Sequence, residues 1–107
     1  METVVKIQDL EQKVIDALKT CYDPEIPVNI YEMGLIYRID VEPSGAVFIQ
    51  MTLTSPACPV AGSLPPEVEM KVRQIPEVAS CRVELVWEPS WTPDKMSEAA
   101  KLELGFY

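Results

Sequence analysis

The sequence predicts a two-layer α+β domain, with elements in the order helix, strand, strand, helix, strand, helix and one three-stranded mixed sheet covered by helices. Three observations carry this. Apolar residues recur at spacings of three and four in two stretches, the period of an amphipathic helix, and at every second position in three others, the period of a half-buried strand. Pro43-Ser44-Gly45 separates the first two alternating runs, as the turn of a hairpin does. A chain of 107 residues is long enough for one core and too short for two ordinary ones, so residues 1–107 form a single domain.

The first stripe is Ile7, Leu10, Val14, Leu18 and Cys21. Asp9 with Gln12 has the spacing of a capping box, which places this helix over 9–20. A connection rich in proline follows, Tyr22-Asp23-Pro24-Glu25-Ile26-Pro27, and runs on to Gly34. Connections of that length in a small domain are commonly functional. Asp23 reads either as the stop of the helix, since Asp-Pro begins turns, or with Glu25 as a carboxylate that reaches a site elsewhere in the chain.

Leu35, Tyr37, Ile39 and Val41 then form the inner face of a first strand, with Arg38, Asp40 and Glu42 facing water. Val47, Ile49, Met51 and Leu53 give the second, with Phe48 as an apolar exception on the wet side. Leu64, Val68, Val72 and Ile75 mark the second helix. The third strand lies within 79–88, with Cys81, Val83, Leu85 and Trp87 on its apolar side. If the second and third strands are neighbours, the intervening helix makes them parallel. Thr92 and Pro93 suit the start of a short last helix containing Met96, Ala99, Ala100 and Leu102, and Gly105 suits its end.

Composition excludes several function classes. Nine basic against 17 acidic side chains give a formal charge of −8, which repels a phosphate backbone and an anionic membrane surface. The N-terminal residues have neither the basic end nor the apolar centre of a signal peptide, and no apolar run is long enough to cross a bilayer, so a cytoplasmic location is expected. Histidine is absent, which removes the usual partner of a catalytic cysteine and the commonest zinc ligand. A thiol enzyme would need a base that the sequence does not show, and the chain is read as a non-enzyme.

Chemistry is expected at Cys58. The second strand runs into Ser55 and Pro56, so Cys58 follows a strand end, and Pro59 after it fits the first position of a helix. A thiol capping a helix start meets free amide groups and the positive end of the dipole, which raise its thiolate fraction. Pro65 and Pro66 allow the alternative that the helix begins only at Ser63 or Leu64 and leaves Cys58 in a loop. In a further reading Cys58 is merely a small packed hydrophobe, as most free cysteines are. Cys21 and Cys81 fall on apolar stripes and read as core.

Four motifs in order, Asp23-Pro24-Glu25, Asn29-Ile30-Tyr31-Glu32-Met33-Gly34-Leu35-Ile36-Tyr37, Met51-Thr52-Leu53-Thr54 with Cys58-Pro59, and Trp87-Glu88-Pro89-Ser90-Trp91-Thr92 with Met96-Ser97-Glu98-Ala99-Ala100, closely resemble the SufT-like and PaaD-like iron–sulfur assembly domain family. The resemblance implies a fold like the C-terminal module of NifU, and an accessory role in assembling iron–sulfur clusters or transferring them to client apoproteins. It places the family's reactive cysteine on Cys58, as functional thiol and metal ligand, with Asp23, Glu25 and Thr54 as its site partners. Ala57 stands where members commonly have glycine, and Pro65-Pro66 falls in a helix usually continuous. The chain ends at Tyr107 without the cysteine-rich extension of PaaD-like proteins, which favours the SufT-like branch. With one such thiol and no CxxC pair, a cluster is expected to be transient and shared with a second chain, a client or a small thiol, for instance in a homodimer. The competing reading is a non-metal adaptor that docks on other assembly proteins, with Cys58 structural.

Overall fold

The computed structural model describes residues 2–22, 27–54 and 64–105, with side chains from Ile7 onward. Asp23, Glu25 and Cys58, three of the expected site residues, lie outside the described residues. Helix α1 (Glu2–Leu18) is followed by strands β1 (Ile36–Val41) and β2 (Ala46–Met51), helix α2 (Leu64–Arg73), strand β3 (Ser80–Leu85), a 3-10 turn over Pro93–Lys95 and helix α3 (Glu98–Glu103). The sheet has the order β1-β2-β3, with β1 antiparallel to β2 and β2 parallel to β3, the mixed three-stranded sheet that the pattern predicts.

Register explains which residues are inside. Val47 pairs with Val41 and Cys81, and Ile49 with Ile39 and Val83, so one row of apolar side chains crosses all three strands on the same face. Val14 and Leu18 of α1 and Val68 and Val72 of α2 cover that face and are buried together with Val47, Ile49 and Cys81, while Ile39, Val41 and Val83 are partly buried against them. α1 lies against β1 and α2, and α2 lies against β3. The opposite face carries Arg38, Asp40, Phe48, Gln50, Arg82 and Glu84. Its ion pairs Arg38–Asp40 (2.6 Å) and Arg82–Glu84 (3.7 Å) are exposed, so each contributes at most about 1 kcal/mol. Arg82 also lies over the Phe48 ring at 5.5 Å, which explains how an aromatic side chain sits on the wet side.

Three boundaries differ from the sequence expectation, each for a local reason. α1 begins at Glu2 and not at Asp9: no proline or glycine interrupts 2–18, and Gln12 donates forward to Asp16 (3.0 Å) instead of closing a cap. Tyr37 is not on the inner face of β1, because the register slips between Ile36 and Arg38 and leaves Tyr37 as the extra residue of a bulge. The last helix is split. Thr92 and Pro93 start only the 3-10 turn, without a side-chain cap, and Ser97 caps α3 by accepting from the Ala100 amide at 3.1 Å. In α2, Pro65 and Pro66 sit in the first turn, where an amide hydrogen has no partner within the helix and its loss costs little.

Candidate functional site

Two segments expected to carry chemistry converge on one end of the sheet. The first begins where Tyr22 bridges to Asn29, which ties together the two ends of the segment containing Asp23 and Glu25. Asn29 then organises a tight turn: its side-chain oxygen accepts from the Glu32 amide (2.9 Å), and its carbonyl accepts from Met33 (3.0 Å). Gly34 closes the turn at φ +77°, in the left-handed region that glycine tolerates. Ile30, Met33 and Leu35 anchor it by full burial.

The second segment is the exit of β2. The Thr52 amide donates to the Leu35 carbonyl (2.8 Å), and the Val86 amide donates to the Met51 carbonyl (2.8 Å). Leu35 therefore links the turn after Asp23 and Glu25 to the strand end that leads to Cys58. Thr54 is half-buried at the last described position of this segment. The structure thus brings the approach to Cys58 beside the turn that follows Asp23 and Glu25.

Thr52 is the residue that alternation alone misses. It is 1 % exposed, and its hydroxyl has no hydrogen-bond partner among the described residues. An orphaned buried hydroxyl costs about 1–3 kcal/mol. In the sequence Thr52 is just a polar residue between Met51 and Leu53; only the long-range packing of the chain reveals that it is covered.

Beside this junction, a partly open cavity of about 570 Å3 is lined by Gly34, Tyr37, Gln50, Val86, Glu88 and Lys95, among others. The Tyr37 hydroxyl donates to the Pro89 carbonyl (2.7 Å), and burial pushes its pKa above the ordinary phenol value. The Lys95 ammonium lies 5.0 Å from the centre of the Tyr37 ring. Trp87, which alternation puts on the apolar side of the third strand, lies beyond the end of β3 and is 37 % exposed.

The two described cysteines are set for packing. Cys21 is buried and has its pKa raised, chiefly by that burial, and its thiol lies 3.6 Å from the Ala17 carbonyl. Cys81 is 3 % exposed on the inner face of β3, and burial pushes its pKa from 9.0 to about 11. Both are poor nucleophiles and poor ligands, because the reactive species is the thiolate. The raised value also has a stability consequence. The unfolded chain loses the Cys81 proton from about pH 9 upward while the folded chain retains it, so stability falls between about pH 9 and 11. Denaturant titrations are expected to show this fall, and Cys81→Ala is expected to flatten it while lowering stability at neutral pH through the cavity left behind.

Among the described residues, no group of three histidine, cysteine or acidic side chains is arranged to hold a metal ion, and no helix is long and apolar enough to cross a membrane. Comparison with known proteins gives the geometry a context. The chain is 49 % identical over 96 residues to an Fe-S protein maturation auxiliary factor of Porphyromonas gingivalis, covering 90 % of this chain and 91 % of that one. It is 34 % identical over 77 residues to an iron-sulfur cluster carrier protein of Mycobacterium leprae, covering 72 % of this chain and 20 % of that longer protein. The crystal structure of a domain of unknown function, DUF59, from Bacillus anthracis superposes with a TM-score of 0.88 at 33 % identity, covering 97 % of this chain and 99 % of that one. The family model described as iron-sulfur cluster assembly protein matches residues 11–85, and this chain belongs to that family.

Proposed function

We propose that this protein is an accessory factor in the maturation of iron–sulfur proteins and acts through the thiol of Cys58, with Asp23, Glu25 and Thr54 as its neighbours. The observation that carries the reading is the Leu35–Thr52 backbone bond, which joins the two segments of the family motif at one end of the sheet. The similarity to an auxiliary maturation factor over nearly the full length of both chains supports the same assignment. The role is delivery and not catalysis: the sequence has no histidine to serve as general base.

An iron–sulfur cluster is cargo in this reading. With Cys21 and Cys81 buried and held protonated, Cys58 is the one cysteine left to offer a thiolate, and one thiolate cannot complete the ligand set of a cluster. The missing ligands come from a second copy, a client or a small thiol, which makes binding transient. The partners are therefore assembly proteins and client apoproteins in the cytoplasm. The net charge of −8 disfavours nucleic acid and anionic membranes as alternatives.

Deleting the protein is expected to lower the activity of iron–sulfur enzymes without lowering their abundance, and restoring the chain is expected to reverse the loss. Unchanged client activity would overturn the assignment. Anaerobic reconstitution with iron and sulfide is expected to yield a labile cluster bridging two chains; a stable cluster on a monomer would contradict the single-ligand argument.

A further inference from the structure

We propose that the outer edge of β3 and the flank of α2 beside it form a self-association surface whose occupant is a second copy of this chain, paired antiparallel along β3 about Val83. The inference uses β3 and α2 alone and does not depend on the thiol reading. β3 ends the sheet: β2 lies on one side of it, and among the described residues no strand lies on the other. Across the inner boundary the Val86 amide donates to the Met51 carbonyl (2.8 Å). Because backbone direction alternates along a strand, Arg82 and Glu84 also turn their amides and carbonyls toward β2, while Cys81, Val83 and Leu85 turn theirs to the outer edge. A row of backbone groups without a strand partner is a template for one more strand.

The side chains select which strand fits. In a two-fold interface the same surface serves both copies, so it must be complementary to itself. Pairing about Val83 satisfies this: Val83 meets the partner's Val83, Cys81 meets the partner's Leu85, and Arg82 meets the partner's Glu84 twice over. The two Val83 residues exchange both backbone bonds, since their groups point outward. The Arg82–Glu84 pairs then fall at the alternate positions, where opposed Cα atoms are about 4.5 Å apart and side chains are closest. Moving the axis by one residue opposes Arg82 to the partner's Arg82 or Glu84 to the partner's Glu84, and like charges directly opposite are destabilising. Both charges stand on the exposed face of the sheet, so they pair without the cost of burial.

The flank of α2 joins the same seam. Pro66, Glu69, Met70 and Arg73 fall on one side of the helix and line a cavity of about 390 Å3. The other side faces α1, where Lys71 shares a groove with Lys13, Ala17 and Thr20. The flank away from α1 therefore lies toward the β3 edge, and Glu69 and Arg73 are the charged groups that act on Cys81 of that strand. A two-fold axis through the Val83 pair, normal to the sheet, puts both α2 helices on one face and sets Met70, 56 % exposed in the single chain, beside the seam. A flexible apolar side chain at that place is a contact for the second copy.

The test is sedimentation velocity of the full chain under reducing conditions, over a dilution series. The wild type is expected to show a concentration-dependent dimer. Arg82→Glu and Glu84→Arg, each with an unchanged far-UV circular dichroism spectrum, are expected to weaken it by about tenfold or more, because each turns two attractive pairs into two repulsive ones. An equimolar mixture of the two single variants is expected to restore the dimer, since every pair across the seam is again of opposite sign, and so is the double variant Arg82→Glu/Glu84→Arg. A wild type that stays monomeric at every concentration overturns the proposal, including the case in which the edge takes a strand from a different protein. A dimer that survives both single swaps overturns it too, as do single variants that fail to recover when mixed. If a single swap does not fold, Met70→Glu tests the seam from α2, and a wild-type dimer there overturns the proposal equally. Cys58→Ala is expected to dimerise as the wild type does, so failure of the thiol reading and failure of the interface are read separately.

Discussion

Cys58→Ala is expected to reduce client maturation to the level of a strain lacking the protein, while changing folding stability by less than about 1 kcal/mol. The two parts of this expectation have different causes. Maturation fails because the other two thiols cannot substitute: burial holds Cys21 and Cys81 in the neutral form, and neither reaches solvent. Stability is expected to persist because the core of the described residues is packed from other positions, among them Val14, Leu18, Ile49, Met51, Val68 and Val72. Enzyme activity of an iron–sulfur client in complemented cells gives the first quantity, and denaturant unfolding of the purified variant gives the second. Cys58→Ser is expected to behave like Cys58→Ala in maturation, since a hydroxyl keeps the size but is neither a thiolate nor a soft ligand.

Gly34→Ala has the largest expected effect on folding. Two costs coincide there. A φ of +77° disfavours any side chain by about 1–2 kcal/mol, and the added Cβ would meet the Lys95 carbonyl oxygen at 2.1 Å, closer than backbone atoms can approach. The turn and the chain at Lys95 must separate to admit it, so the total is expected to be about 4 kcal/mol or more, with a fall in melting temperature of about 15 °C or more. That is a large share of the roughly 5–15 kcal/mol that keeps a domain folded. Gly105→Ala serves as the control, because Gly105 also has a positive φ (+76°) but nothing within 4 Å of the added atom. It is expected to cost only about 1–2 kcal/mol. Equal effects at the two positions would show that the close approach of Lys95 to Gly34 does not matter.

The fold was legible because burial periodicity is a local property. Leu10, Val14, Leu18 and Cys21 lie on the predicted stripe and are all buried, and so do Leu64, Val68 and Val72. The hairpin was legible from Pro43-Ser44-Gly45, and the parallel pairing of β2 with β3 follows from the helix between them. Tyr37 was misplaced because a bulge inserts one residue and reverses the alternation before it, and no residue type marks that insertion. The start of α1 was misplaced because Asp9 and Gln12 fit a cap and also fit an exposed helical surface.

The candidate site is legible as a set of motifs and not as a geometry, and Asp23, Glu25 and Cys58 lie outside the described residues. Spacing singles out Cys58, and resemblance adds Asp23, Glu25 and Thr54, yet neither says what lies next to them. Contacts such as Trp91 with Met33 and Tyr37 with Pro89 join residues 58 and 52 positions apart, and a sequence contains no local trace of them. The buried hydroxyl of Thr52 is hidden for the same reason.

The account depends on an ionised, accessible sulfur at position 58, and the rate of Cys58 alkylation as a function of pH measures it most directly. The predicted result is a midpoint below the value of about 8.5 for a free cysteine, with labelling at neutral pH faster than at either Cys21 or Cys81. A midpoint at or above that value, or labelling no faster than at Cys21, would contradict it.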